Sequence, residues 1–178
     1  MKVERLPIPG ALVLRSDLQL DSRGSFQRIV DLAEMEALGL ETQVAQISAA
    51  CNAERGTVRG LHYQVPPDEE AKTLWCTSGS VYDVIVDLRR DSPTYGKWAG
   101  IELSQRDPAV LHVPRGLAHG YQTLEDHAEL IYVISAPFVA DSARSLLWRD
   151  PTLRINWPLP VTRISDRDRE APAWLPEY

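Results

Sequence analysis

The chain has 178 residues, a length that suits one domain over 1–178 with a single sizeable core and leaves little room for a second. Hydrophobic content of 44% and charged content of 25% are those of an ordinary globular protein, and a net charge of −6 argues against nucleic acid or an anionic membrane as the main partner. The first ten residues do not read as a signal peptide and no apolar run approaches a bilayer span, so a cytoplasmic protein is expected.

Apolar residues fall in short runs, many alternating with polar ones, and each run reads as a strand. In chain order, a strand over 11–14 precedes the turn signal Asp21-Ser22-Arg23-Gly24. Residues 30–40 then carry Leu32, Met35, Leu38 and Leu40 near a helical stripe, which Gly39 helps to end. Strands follow over 44–47 and up to His62, then over 73–76, with Ser78-Gly79 turning the chain into 81–88. Asp91-Ser92-Pro93 separates that strand from 99–103 and 110–113; Pro114-Arg115-Gly116 and Ala136-Pro137 bracket 129–134. The C-terminal third, with Pro151, Pro158, Pro160, Pro172 and Pro176, is expected to wrap the body as irregular chain. The pattern implies an all-β barrel or jelly roll with a small helical elaboration. Cys51 and Cys76 match no metal-ligand spacing and are expected as reduced core thiols.

Four histidines invite a chemical reading. His112 alternates within an apolar strand and His127 lies in the polar turn Glu125-Asp126-His127, so both read as structural. His62 ends a strand, and His119 is read in a turn leading into the next strand. A metal site in such a barrel calls for two histidines one residue apart, but Tyr63 and Gln64 follow His62. His62, His119 and Glu69 or Glu70 would have to meet through space alone, so a metal is not expected. Acid–base chemistry needs a base, a carboxylate to orient it, a cation for a developing oxyanion and an acid on the opposite face. The chain offers His62 as base, Asp168 or Asp83 as orienter, Lys72 as cation and Tyr132 as acid. Singly, a barrel tyrosine is usually packing and a lysine is usually solvated. Arg23, Arg55, Arg59 and Arg167 flank glycine or polar turns, where a guanidinium reaches a phosphate or merely balances surface acids.

The run Arg55-Gly56-Thr57-Val58-Arg59-Gly60-Leu61-His62-Tyr63-Gln64, followed by Glu70-Ala71-Lys72, resembles the signature of the dTDP-4-dehydrorhamnose 3,5-epimerase family. The resemblance continues through the segments at 81–89 and 91–98, Val113-Pro114-Arg115-Gly116-Leu117-Ala118-His119-Gly120, and Ser165-Asp166-Arg167-Asp168. Asp21-Ser22-Arg23-Gly24-Ser25-Phe26 fits as its opening element. It implies a cupin-type double-stranded β-helix (jelly roll), dimeric and needing neither metal nor organic cofactor, that epimerises carbons beside the ketone of a nucleotide-linked 4-keto-6-deoxy sugar. By position, His62 is then the base, Asp168 its carboxylate, Lys72 the enolate partner and Tyr132 the acid, with Asp83 a second candidate orienter. Arg59, with Arg23 from the partner subunit, is expected at the pyrophosphate. Phe26, Gln46, His119, Phe138 and Arg167 complete the expected substrate-binding set.

Some positions depart from the family pattern. Phe138 stands six residues after Tyr132, where many members carry a second tyrosine, which points to inversion at a single carbon or to an altered sugar. Ser48 and Ala50 replace an expected Asn and Ser, and Arg28 and Trp75 bear on the base recognised, leaving CDP and GDP beside dTDP. The expected activity is a 3,5-epimerase or a 3- or 5-monoepimerase; the alternatives are a 3,4-keto-isomerase and a non-catalytic sugar-binding cupin.

Overall fold

The computed structural model describes residues 2–175; Pro176 lies outside them. Strands β1 (Lys2–Arg5) and β2 (Leu12–Arg15) precede a small hairpin of β3 (Gln19–Asp21) and β4 (Gly24–Phe26), and helix α1 (Leu32–Ala37) follows. The body consists of β5 (Gln46–Asn52), β6 (Val58–Gln64), β7 (Lys72–Ser78), β8 (Ser80–Asp87), β9 (Trp98–Ser104), β10 (Val110–Val113), β11 (Leu117–Thr123) and β12 (Ala128–Ile134). Strand β13 (Ala143–Ser145) and helix α2 (Asp166–Arg169) lie in the C-terminal segment.

A six-stranded sheet runs β1-β2-β10-β7-β12-β5 and a five-stranded sheet runs β13-β6-β11-β8-β9, with neighbours antiparallel. From β5 onward the chain changes sheet at nearly every connection, which makes the sandwich a jelly roll. Alternation explains the layers. Val81 and Ile85 of β8 meet Leu74, Leu111 and Leu130 of the other sheet in the main core. Val84 and Val86, pointing the other way, are covered by Leu146, Leu153, Trp157 and Trp174, so the proline-rich segment does wrap the body. The opposite outer face, Leu12, Leu14 and Val110, is covered by Met35 of α1.

Helix α1 is shorter than its apolar stripe. The Asp31 side chain accepts from the N–H groups of Ala33 and Glu34, which fixes the start, and Gly39 at φ +73° closes the end. His119 lies inside β11, not in a turn, because Gly116 already completes the turn. Cys76 is buried as expected and burial pushes its thiol up, whereas Cys51 is exposed on the edge strand β5. Among the described residues no helix is long and apolar enough to cross a membrane.

His112 has the structural role read for it. It is buried in β10 with Nδ1 3.0 Å from Thr73 Oγ1, and burial pushes its imidazole down to about 4, against the weaker opposing field of Glu41. In the unfolded chain the same group titrates near 6.5. Between those values the unfolded chain binds the extra proton, so this contribution to stability is complete above pH 6.5 and falls as pH drops towards 4. The loss reaches about 3 kcal/mol. Denaturant titrations from pH 7.5 down to about pH 4.5 should show that slope, and His112→Gln should flatten it; an unchanged slope in the variant would refute the assignment.

Candidate active site

The site begins with an irregularity in β6. Arg59 pairs with Tyr121 and His62 with His119, so three steps along β6 match two along β11. The extra residue is a β-bulge, and it turns Arg59 and His62 toward the same cleft, although simple alternation would send them to opposite faces. Glycine makes the bulge possible. Gly60 has φ +118°, a Cβ on it would lie 2.6 Å from Gly120 Cα, and a Cβ on Gly120 would lie 2.7 Å from Arg59 O.

The C-terminal segment brings Asp168 onto His62 from across the sequence. Ser165 caps α2 by accepting from the Asp168 N–H, and the buried Asp168 places Oδ1 2.6 Å from His62 Nε2. Its Oδ2 accepts from the Gly60 N–H at 3.2 Å. Burial opposes ionisation of Asp168, but His62 and the Gly60 N–H outweigh it and hold the carboxyl below the usual carboxylate range. An ionised carboxylate only accepts, so Nε2 carries the proton and Nδ1 keeps the basic lone pair.

Asp83, the second candidate orienter, does not meet His62. Strand β11 lies between β6 and β8, so Asp83 of β8 reaches His119, with Oδ2 2.9 Å from Nε2. Burial pushes the Asp83 carboxyl up against the pull of His119, and its Oδ1 has no hydrogen-bond partner among the described residues.

The facing sheet supplies Lys72 and Tyr132. Lys72 is not a lone cation: Nζ lies 2.9 Å from Glu70 Oε1 and donates to His62 O at 3.4 Å. Glu70, two residues away, was not read as its partner, although a Glu-x-Lys pair entering a strand places both side chains on one face. Tyr132 packs edge-on to His119 with ring centroids 6.0 Å apart. Burial, then Tyr121 and Asp83, push its phenol well above the ordinary value, so it carries its proton at neutral pH.

His62 on one sheet thus faces Lys72 and Tyr132 on the other across a cleft of about 290 Å³. Gln46, His119, Phe138 and Arg167 also line it. Gln64, to which no role was given, holds the Phe138 loop: its Oε1 accepts from Val139 N–H at 2.7 Å and its Nε2 donates to Pro137 O at 3.1 Å. A second cleft of about 510 Å³ shares Arg59, His62 and Arg167 with the first. Arg163 in that cleft is paired with Glu54 at 2.8 Å. Arg59 instead donates to the neutral Asn52 Oδ1 at 2.8 Å, and Arg167 has neither hydrogen bond nor ion pair among the described residues. In an acidic chain, two guanidiniums without carboxylate partners beside His62 make a local anion site.

Arg23 and Phe26 line neither cleft of their own chain. They sit on the exposed β3–β4 hairpin, where Arg23 pairs with Asp21 at 2.6 Å. Arg55 is also outside, donating to Leu124 O. Among the described residues no three His, Cys, Asp or Glu side chains are grouped to hold a metal ion.

The sequence profile described as dTDP-4-dehydrorhamnose 3,5-epimerase matches residues 5–175. A dTDP-4-dehydrorhamnose 3,5-epimerase of Sinorhizobium fredii is 38% identical over 174 residues, which cover 97% of this chain and 89% of that protein. The crystal structure of a dTDP-4-dehydrorhamnose 3,5-epimerase from Bacillus anthracis with TDP and PPi bound superposes with a TM-score of 0.94 at 38% identity, covering 97% of this chain and 99% of that one. A 3'-monoepimerase from Streptomyces bikiniensis in complex with dTDP-quinovose superposes with a TM-score of 0.88 at 32% identity, covering 94% of this chain and 85% of that one.

Proposed function

The chain belongs to the dTDP-4-dehydrorhamnose 3,5-epimerase family, and from that premise we propose that it inverts C3, C5 or both of a dTDP-4-keto-6-deoxyhexose by proton removal and return. The observation that carries the reading is the placement of the His62–Asp168 dyad on one sheet and the protonated Tyr132 phenol on the other, either side of one cleft. Inversion requires a base on one face of the sugar ring and an acid on the opposite face.

A proton beside a ketone is far more acidic than an ordinary C–H, yet its pKa lies well above that of an imidazolium. Stabilising the enolate oxygen in an enclosed site must close the gap, on the order of several kcal/mol. Lys72 is assigned that task. With Glu70 and His62 O already held, one N–H remains for the substrate, so it acts as a charged hydrogen-bond donor rather than a bare cation. Asp168 stabilises the imidazolium formed when His62 takes the proton. Arg59 and Arg167 hold the diphosphate, and that binding energy positions the small reacting ring.

The proposal includes a homodimer in which the β3–β4 hairpin carries Arg23 and Phe26 into the partner's site. Its support is apolar surface exposed where a partner would lie: Leu20 at 75% and Phe26 at 63% on the hairpin, and Ile47 at 68% on edge strand β5.

The test is incubation with dTDP-4-keto-6-deoxyglucose in heavy water, followed by NMR of the product. Deuterium is expected at one or both carbons flanking the ketone, with inversion there. No incorporation into this or any other nucleotide keto-sugar would overturn the proposal, as would a product whose ketone has moved.

A further inference from the structure

Below the cleft a line of polar side chains joins Tyr132 to Arg59. The Tyr132 and Tyr121 side chains pack together at the edge of the main core and line the same cleft. The Tyr121 hydroxyl, on a side chain with 2% exposure, donates to Asn52 Oδ1 at 3.1 Å. The same Oδ1 accepts from Arg59 Nε at 2.8 Å. The Asn52 amide cannot turn over without loss, because its Nδ2 donates to Ala128 O at 3.0 Å and Ala50 O at 3.3 Å.

One hydroxyl proton on Tyr121 therefore has two neighbours, Asn52 Oδ1 and the Tyr132 side chain. While Tyr132 keeps its proton, Tyr121 rests on Asn52. Once Tyr132 has protonated the sugar carbon, its phenolate oxygen lies at the edge of the core and needs a donor. Rotation of the Tyr121 O–H supplies one. Asn52 Oδ1 is not orphaned by the change, because Arg59 Nε still donates to it.

We propose that Tyr121 is the positioning residue of the acid: its hydroxyl swings from Asn52 to the Tyr132 oxygen and stabilises the phenolate formed as the sugar is reprotonated. No bond to the Tyr121 proton breaks; the transferred proton is that of Tyr132, and it goes to carbon. The inference rests on Tyr132 being the acid of the proposed reaction.

Tyr121→Phe removes one oxygen from a retained ring. It is expected to lower kcat for inversion by about ten- to a hundredfold, the effect of losing a hydrogen bond to a charged group. KM should stay within about twofold, and deuterium exchange on the base face, which needs only His62, should persist near the parent rate. In a Tyr132→Phe background the same change should have no further effect on the residual inversion rate. If Tyr132→Phe abolishes inversion but Tyr121→Phe leaves it near the parent rate, this inference falls and the assignment of the acid stands. If Tyr132→Phe itself inverts normally, both fall. An equal loss of exchange and inversion in Tyr121→Phe would show a merely structural role and overturn the inference. A second variant, 3-fluorotyrosine at position 121, keeps the shape and strengthens the donor; it should invert at or above the parent rate, and a lower rate would overturn the inference.

Discussion

Alanine at position 62 should lower the rate of deuterium exchange beside the ketone by about a hundred- to ten-thousandfold, the span ordinarily supplied by a positioned base. The loss should appear in kcat, with nucleotide affinity changed little. Arg59 and Arg167 do not depend on the imidazole for their positions, since Arg59 is held by Asn52 and Arg167 has no partner to lose among the described residues. The fold should survive, because the His62 side chain is 41% exposed and belongs to none of the hydrophobic clusters. Asp168 would keep the Gly60 N–H as a partner and would be easier to protonate, having lost the larger of the influences that hold its pKa down. Isothermal titration with dTDP alongside NMR-detected exchange separates the two effects. Exchange at the parent rate in His62→Ala would remove the base from the scheme.

The second large effect concerns the acid. Tyr132→Phe should abolish inversion, again by about a hundred- to ten-thousandfold, while His62 continues to remove the proton and return deuterium to the same face. The sugar would then gain label without changing configuration, a product that NMR distinguishes from both starting material and epimer. Stability should fall by only about 1 kcal/mol, since the ring and its packing are retained and the neighbouring Tyr121 hydroxyl still has Asn52. Normal inversion in this variant would show that another group protonates the ring.

Much of the barrel was legible because half-buried strands alternate: 81–88 and 129–134 were read almost to their ends. Strand β11 was half missed, since all seven of its residues are buried and no alternation marks it. Strands β1, β3 and β4 are exposed along their whole length and give no apolar signal, although the turn at 21–24 was plain. For the site, spacing alone did not pair His62 with Asp168, 106 residues apart; the family resemblance did. It could not choose against Asp83, because that choice depends on which strand lies between β6 and β8. Nor did it show that Glu70 neutralises Lys72, or that Gln64 clamps the loop bearing Phe138.

The single extra residue in β6 has a consequence for how such a site can drift. Exchanging side chains around the cleft alters affinity or regiochemistry by degrees. Inserting one residue between His119 and Tyr121 of β11 would restore regular three-for-three pairing with β6 and send either the phosphate anchor or the base to the far side of the sheet. Both residues would remain in the chain, yet no longer act on one substrate. For this short stretch the length of the segment is as strict a requirement as the identity of its histidine, and insertions or deletions tolerated in the outer loops are barred here.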